Sequence, residues 1–432
     1  METYKFLLDV ALILLSTKVL GLVTRKLQLP QVVGALLAGL IFGPGVLNLI
    51  QPTDFLSSLS EIGVIVIMFS AGMSTDIKEL KHAGSSGFLV AVIGVLAPLA
   101  MCTLLGFLFA PGESDPSMIL QHVFIGTILT ATSVSITVET LKEIGKLNTK
   151  VGNTILAAAL IDDVLGLVVL TVVTSLAGDS VNVALVLLQI VLFFVFVAVV
   201  AFVGVKLFTW YENRFHKNLH RFPLLAFVLC LLMAFLAEEV FGVADIIGAF
   251  AAGVIVANTP RGAYIESKFQ PLSYLLLTPI FFANIGLKVE IPAMSWQIVV
   301  FAVLLVLVAI LSKLIGCGLG AKVCGFDWRE SLQVGLGMAC RGEVALIVAN
   351  RGASMGLMPD MYFGPVIIMV VCCAVFTPIA LKLAFRSRRG ASESEEATPL
   401  VDRYVMAEKL GDMADEDAER VMAAKAGVKP KK

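Results

Sequence analysis

Charged residues are scarce in this 432-residue sequence: Lys, Arg, Asp and Glu make up only 15% of it, whereas 58% is hydrophobic. A mean hydropathy of +0.93 excludes an ordinary soluble globular protein. The apolar stretches are about twenty residues long and do not alternate with polar residues, as expected for membrane-spanning helices rather than barrel strands. We therefore predict an all-α polytopic membrane protein, surrounded by lipid.

The sequence also lacks the motifs of most enzymes. It has no Gly-rich phosphate loop, no His/Cys spacing typical of a metal site and no Ser/His/Asp arrangement. The seven cysteines mostly lie within apolar runs, where they behave as small hydrophobic residues. A net charge of -1 argues against a nucleic-acid partner. We therefore expect no enzymatic activity and no bound cofactor.

Apolar runs separated by Gly, Pro and charged residues predict thirteen membrane spans. Their approximate limits are 4–24, 31–50, 55–74, 86–110, 118–140, 150–177, 181–207, 222–240, 242–258, 266–287, 293–320, 329–351 and 361–385. Loops after odd-numbered spans hold nearly all the loop Lys and Arg, and loops after even-numbered spans hold only Lys288 and Arg351. Because cytoplasmic loops are enriched in Lys and Arg, we expect an outside N-terminus and a cytoplasmic C-terminus.

An internal repeat relates the two halves of the chain. The segment around Gly34 and Gly39 resembles the one around Gly248 and Gly253, and the separation from Gly34 to Gly248 is the same as that from Gly39 to Gly253. This separation, the repeat offset, also places Gly72 over Gly286. Matched spans are seven apart in the chain and run in opposite senses, so we predict the inverted-topology repeat that is characteristic of secondary transporters.

Two adjacent carboxylates, Asp162 and Asp163, interrupt the sixth span near its middle. Acids at this depth are expensive to bury, and two neighbours resist joint ionisation, so they require a cation, a proton or a basic partner. Lys313, isolated in the eleventh span, is the economical partner. The alternatives are that both acids only satisfy neighbouring helices, and that Lys313 extends towards the inner membrane face.

Two further spans are interrupted at matching positions of the repeat. The fifth span carries a hydroxyl cluster (Thr130, Thr132, Ser133, Ser135 and Thr137), and the repeat offset places Thr130 over Val344 in the twelfth span, directly after the interruption at Arg341, Gly342 and Glu343. Interrupted spans in corresponding halves predict two crossed broken helices around a binding site, with charged residues balancing the helix ends. Alternatively, the hydroxyls bond to their own helices, and Arg341 and Glu343 neutralise each other.

Five other acids gather around predicted outward loops and form a candidate acidic vestibule for cations. They are Asp54, Glu61, Glu238, Glu239 and Asp245. Ordinary solvated charge explains them equally well. From Arg386 the sequence becomes a polar tail, too short for a nucleotide-binding domain.

Taken together, the segment from Leu129 to Leu170, Lys313 and CRGEVALIVANRG resemble the bacterial sodium/proton antiporters of the NapA type, in the cation:proton antiporter superfamily. The resemblance implies a homodimer with a scaffold (spans 1, 2, 8 and 9) and a mobile core (spans 3–6 and 10–13). It also implies that Asp163 carries the ion, that Asp162 pairs with Lys313, and that Thr132 and Ser133 lie at the crossing with Arg341 and Glu343 in support. Relatives that export potassium with thiol-linked gating tend to have Gln before a single Asp and a nucleotide-binding tail, which this chain lacks.

The sequence thus predicts exchange of Na+ or Li+ for H+ in a bacterial plasma membrane. We expect one repeat half at 1–177, a linker at 178–221, the second half at 222–385 and a cytoplasmic tail at 386–432. K+/H+ exchange, sodium-coupled uptake of an organic anion and a cation channel are the alternatives. The acid pair with its buried Lys favours proton coupling over the last two.

Overall fold

The computed structural model describes residues 4–26, 29–75, 77–109, 116–176, 183–214, 221–259, 261–289 and 295–386. Every regular element in these residues is helical. Ten helical segments are long and apolar enough to cross a membrane. The chain is therefore an integral membrane protein, as its composition predicts.

Sixteen α-helices follow one another along the described part of the chain. They are α1 (Lys5–Lys26), α2 (Gln31–Phe42), α3 (Asp54–Met73), α4 (Ile77–Phe109), α5 (Pro116–Thr130), α6 (Val134–Glu143), α7 (Lys150–Leu176), α8 (Val183–Arg214), α9 (Arg221–Phe235), α10 (Asp245–Ala257), α11 (Gly262–Leu272), α12 (Thr278–Leu287), α13 (Trp296–Val323), α14 (Trp328–Gly337), α15 (Glu343–Ser354) and α16 (Phe363–Phe385). One π-helical turn, Leu236–Val240, extends α9, and another, Ser273–Leu277, joins α11 to α12.

Helical segments occupy all thirteen predicted positions, but several boundaries differ from the prediction. Helix α2 ends at Phe42 rather than near 50, because Gly43, Pro44 and Gly45 follow it and end the helix. Helix α4 begins at Ile77, well before the predicted start at 86, because its polar first turns continue the helix beyond the apolar run. Helices α2 and α10 are shorter than a full membrane crossing.

Close contacts between glycines follow the repeat offset. A methyl group on Gly253 would collide with the Phe69 carbonyl oxygen, and one on Gly72 would collide with that of Phe250. These contacts join α3 to α10.

The corresponding contacts join α2 to α12. A methyl group on Gly39 would collide with the Ala283 carbonyl oxygen, and one on Gly286 would collide with that of Leu36. Each contact is the counterpart, at the same offset, of one between α3 and α10. The repeat that the sequence predicts is therefore present in the packing of the helices.

Helix α4 packs against both α7 and α13 and so brings the two helices that carry the buried charges together. Small residues allow this approach: a β-carbon on Gly316 would lie 2.7 Å from the Ala97 β-carbon. A β-carbon on Gly94 would lie 3.7 Å from Lys313 Nζ. Glycine at these positions leaves room for α13, as is common where membrane helices pack closely.

Candidate functional site

Two helix interruptions meet in the middle of the bundle. Residues 131–133 separate α5 from α6, and residues 338–342 separate α14 from α15. The Ser133 backbone N–H donates a hydrogen bond to the Cys340 carbonyl oxygen at 3.0 Å. The Thr132 hydroxyl donates to the Met338 carbonyl oxygen at 3.4 Å. The two broken segments therefore cross in contact with each other, as the matched interruptions in the sequence predict.

A second hydroxyl strengthens the crossing. Thr137 lies one turn into α6, and its Oγ1 donates to the Gly337 carbonyl oxygen at 2.8 Å. Gly342 is equally close from the other side, because a β-carbon there would lie 2.6 Å from Ser133 Oγ. Two of the predicted hydroxyls, Thr132 and Thr137, thus satisfy carbonyl groups at the end of α14. Thr130 instead bonds within its own helix, to the Thr127 carbonyl oxygen.

Arg341 is completely buried at the second interruption. Its Nη1 donates to the carbonyl oxygens of Met338 and Cys340 at 3.2 and 3.1 Å, and its Nη2 donates to that of Ala309 at 3.4 Å. Carbonyls at the C-terminal end of a helix carry partial negative charge, which a cation stabilises. Arg341 therefore balances the end of α14 and ties it to α13. The side chain of Glu343 lies outside the described part of the structure, although its backbone begins α15.

Asp162 on α7 and Lys313 on α13 form an ion pair in which Lys313 Nζ donates to Asp162 Oδ1 at 2.7 Å. Both side chains are inaccessible to solvent. The Lys313 ammonium therefore does not extend to the membrane face; it lies against the acid pair. An ion pair this deeply buried stabilises the fold only while both partners are present, because either charge alone would be buried without a counter-charge.

Asp163 has different surroundings from Asp162. It is partly exposed, and no ion pair to it occurs among the described residues; its Oδ2, like that of Asp162, has no hydrogen-bond partner there. Its strongest electrostatic neighbours are Asp162, Lys313 and Asp245, in that order. A carboxylate with an unpaired oxygen beside a second acid can accept a proton or a small cation.

The acid pair lies between two points where α7 meets the crossing. Towards its start, the Ile155 side chain packs against the Gly337 backbone; towards its end, a β-carbon on Gly166 would lie 3.9 Å from Thr130 Oγ1. Ile155, Asp162 and Gly166 share one helical face because they are seven and four residues apart. Asp162 therefore faces the interrupted segments, and Asp163 is the next residue along α7.

Part of the predicted acidic vestibule is also brought together. Asp245 at the start of α10 interacts electrostatically with Glu61 of α3 and Glu238 of the π-helical turn after α9. Asp245 also interacts electrostatically with Asp163. No group of three potential metal ligands among His, Cys, Asp and Glu occurs within the described ranges.

The sequence does not indicate which backbone carbonyl groups accept hydrogen bonds at the site. The carbonyls of Ala309, Met338 and Cys340 hold Arg341, yet these residues have no side-chain chemistry that marks them. The glycines opposite Lys313 and Ser133 leave a weak signal, since small residues next to a membrane-embedded charge indicate close packing.

Comparisons with known proteins agree with this arrangement. The family model "Sodium/hydrogen exchanger, transmembrane" matches residues 11–386. The Na(+)/H(+)-K(+) antiporter GerN of Bacillus cereus is 36% identical over 394 residues, which cover 91% of this chain and 100% of GerN. The Na(+)/H(+) antiporter of Enterococcus hirae is 36% identical over 88% of this chain and 97% of its own.

A solved structure shows that the fold is shared more widely. The sodium proton antiporter MjNhaP1 of Methanocaldococcus jannaschii at pH 8 matches 89% of this chain and 96% of its own, with a TM-score of 0.58 and 20% identity. At that identity the likeness concerns the fold alone. With the family match over nearly all the helical part, these findings establish that the chain belongs to the sodium/hydrogen exchanger family of membrane transporters.

Proposed function

We propose that this protein exchanges sodium, or lithium, for protons by alternating access, and that Asp163 is the carboxylate that carries either ion. The observation that carries the proposal is the contrast between the two neighbouring acids. Asp162 is fully buried and bonded to Lys313 at 2.7 Å, whereas Asp163 is partly exposed and forms no ion pair within the described residues. Asp163 is therefore the acid that is free to change partners.

The mechanism follows from the electrostatics of a buried carboxylate. Protonated Asp163 and cation-bound Asp163 are both neutral, whereas the bare carboxylate is too costly to carry through an apolar barrier. The site therefore crosses loaded with one ion or the other, and this competition couples the two fluxes. Thr132 and Ser133 offer further oxygen atoms at the crossing, and Arg341 keeps the broken helices in register there.

Asp162 sets the stoichiometry in this proposal. If it trades Lys313 for a proton during the cycle, two protons move for each sodium ion and transport is electrogenic. If the ion pair persists, one proton moves and transport is electroneutral. Competition predicts that the sodium concentration for half-maximal rate rises as the pH falls, roughly tenfold per unit for one displaced proton and about a hundredfold for two.

The proposed architecture assigns α1, α2, α9 and α10 to a scaffold and α3–α7 and α11–α16 to a mobile core, with α8 as the linker. The chain would form a homodimer in a bacterial plasma membrane, with its N-terminus outside. The distribution of Lys and Arg among the loops supports this orientation. In this assignment the two pairs of glycine contacts, between α3 and α10 and between α2 and α12, would lie between the proposed core and the proposed scaffold.

The test is a transport assay in proteoliposomes that compares Na+, Li+ and K+ across a pH series. Wild-type protein should collapse a proton gradient on addition of sodium or lithium, and Asp163→Asn should abolish this effect. Asp327→Asn, the same change at an exposed acid that precedes α14, is the matched control and should retain exchange. Exchange that survives in Asp163→Asn would refute the assignment, and a steady current without proton coupling would indicate a channel.

Potassium is the second candidate, because GerN is named as an antiporter that also handles K+. Potassium is larger and more weakly hydrated than sodium. The size of the cavity at the site therefore decides which of the two ions binds more tightly. Equal gradient collapse by potassium and sodium at saturating concentrations would favour this alternative.

A further inference from the structure

The last residue of α6, Glu143, lies at the start of α2. Both of its carboxylate oxygens accept a hydrogen bond from the Gln31 backbone N–H at 2.9 Å, across 112 residues of sequence. The Val32 backbone amide also favours the Glu143 carboxylate electrostatically. Pro30 precedes the helix and provides no side-chain cap. Glu143 therefore supplies the anion that the positive end of α2 requires.

This contact joins two bodies that move differently in the proposed mechanism, on which the inference rests. Helix α6 begins at the crossing and belongs to the proposed core, whereas α2 packs against α1 and belongs to the proposed scaffold. A core that slides or rotates past the scaffold changes the distance between Glu143 and Gln31. The hydrogen bonds therefore exist in one position of the core and break in the other.

The other end of the molecule lacks an equivalent contact among the described residues. The start of α10 corresponds to that of α2, since the repeat offset places Asp245 over Gln31. There the Ile246 N–H donates to Asp245 Oδ1 at 2.7 Å, and Glu238 accepts from the Asp245 backbone. Both acceptors belong to the scaffold itself.

The residue at the offset position from Glu143 is Leu357, which is buried and apolar. Within the described residues, a carboxylate from the proposed core thus caps a proposed scaffold helix at the end that carries the Lys and Arg loops, and not at the other end. The repeat is symmetric in its backbone and asymmetric in this cap.

The charges around Glu143 also come from the core. Lys382 of α16 and Glu139 of α6 are its electrostatic neighbours, and Lys142 interacts with Glu139 and with Glu266 of α11. The hydrogen bonds to α2 are therefore the contacts in this charged cluster that connect it to the scaffold.

We propose that Glu143 is a latch between core and scaffold, which holds the transporter in the present state by capping α2 and must open once in each transport cycle. Hydrogen bonds to a charged acceptor at a helix start change an equilibrium by about tenfold or more. Loss of the latch therefore depletes this state without removing the ion site.

Hydrogen–deuterium exchange of the protein in lipid nanodiscs tests the contact directly. In Glu143→Ala, the amides of Gln31 and Val32 should exchange about tenfold faster than in the wild type. Glu139→Ala removes an acid one turn away that makes no hydrogen bond to α2 in the described structure, and it should leave these amides protected. Unchanged protection in Glu143→Ala would overturn the proposal, and Glu143→Gln, which keeps one acceptor oxygen, should lie between the two.

A reversible cross-link tests whether the contact must open. Gln31→Cys with Glu143→Cys, joined by a short bifunctional thiosulfonate reagent in proteoliposomes, should lose most of its exchange and regain it after reduction. Each single variant, treated with the same reagent, controls for reaction at the native cysteines. Its rate of ion exchange should be the same before and after treatment. If the cross-linked double variant exchanged ions as fast as the same protein after chemical reduction of the cross-link, the latch proposal would be overturned.

The two proposals fail in different ways. If the proposed function is wrong, wild-type and reduced proteins show no sodium-dependent proton movement, whereas the amide exchange of α2 still reports on Glu143. If only the latch is wrong, exchange is normal and insensitive to the cross-link.

Discussion

The two halves of the repeat have matching backbones and opposite charges at the centre of the molecule. The first half contributes Asp162, Asp163 and the hydroxyls of α5 and α6, whereas the second contributes Lys313 and Arg341. At the repeat offset, Asp162 corresponds to Phe376, Lys313 to Leu99 and Arg341 to Thr127. The side chain of Glu343, a further acid of the second half, lies outside the described part of the structure.

The backbone contacts therefore follow the internal repeat, whereas the charged residues do not. The glycine contacts and helix interruptions have to occur twice, because each half builds one broken helix. The charges have to occur once, because two acids or two cations from symmetric positions would repel each other at short range. The acid pair is balanced only when both halves are assembled.

Lys313→Ala should have the largest effect, because it leaves Asp162 without its only ion-pair partner in the described structure. Removal of one partner from a buried pair destabilises by about 3–5 kcal/mol. Thermal unfolding in detergent measures this loss. If Asp163 carries the ion, exchange persists with an altered pH profile or charge stoichiometry.

The double variant Lys313→Ala with Asp162→Asn is the control for that prediction, because neutralising both partners leaves no unpaired charge. It should recover most of the stability. An equal loss in single and double variants would show that Lys313 contributes packing rather than charge, and a wild-type pH profile in Lys313→Ala would show that the pair plays no part in proton coupling.

Arg341→Ala should come next, at about 3 kcal/mol, because the carbonyls of Met338, Cys340 and Ala309 lose charged donors in a buried position. Arg341→Lys keeps the charge but not the planar arrangement of donors, so it should recover only part of the loss. Thermal unfolding of both variants measures the difference. Equal stability of Arg341→Ala and wild type would mean that water replaces the guanidinium.

Gly342→Ala tests the crossing itself, with an expected cost of about 1–3 kcal/mol from overpacking. The new methyl group would meet Ser133 Oγ at 2.6 Å and Ser133 Cβ at 2.8 Å. Adding Ser133→Gly should relieve the clash and restore stability. Gly84→Ala is the matched control, since nothing lies within 4 Å of its added β-carbon. If both alanine variants unfold at the same temperature, the two interruptions are further apart than described.

The hydroxyls should have the smallest effects. Thr137→Val removes a 2.8 Å bond to the Gly337 carbonyl and should cost about 1 kcal/mol, with sodium affinity unchanged. Thr132→Val removes a 3.4 Å bond to Met338 and should cost less stability but weaken sodium binding, if Thr132 contributes an oxygen to the ion. Unfolding temperatures together with sodium-dependent rates separate the two. If sodium binding were instead weakened in Thr137→Val and unchanged in Thr132→Val, the cation would lie nearer to Thr137 than to Thr132.

The sequence predicts the helices and the charged centre well because each rests on a strong local signal. Asp162, Asp163 and Lys313 are rare residues in apolar runs, so their pairing is the economical solution, and the repeat offset aligns both interruptions. Boundaries are predicted less well. The end of α2 depends on Gly43, and the start of α4 depends on polar turns that look like a loop.

Contacts with the backbone are not predicted at all. Arg341 bonds to three carbonyls and Glu143 bonds to an amide 112 residues away, and amides and carbonyls are the same in every residue. The sequence therefore indicates that Arg341 is buried, but not what it holds. In the sequence, Glu143 reads as one more charge beside the loop that holds Lys142, Lys146 and Lys150.

The four glycines at positions 39, 72, 253 and 286 place bare backbone against bare backbone where the proposed core touches the proposed scaffold. An added methyl group at any of the four would collide with a carbonyl oxygen of the opposing helix. Each pair of helices is therefore already at the shortest separation that two peptide backbones allow, and a larger residue at either glycine would wedge the pair apart.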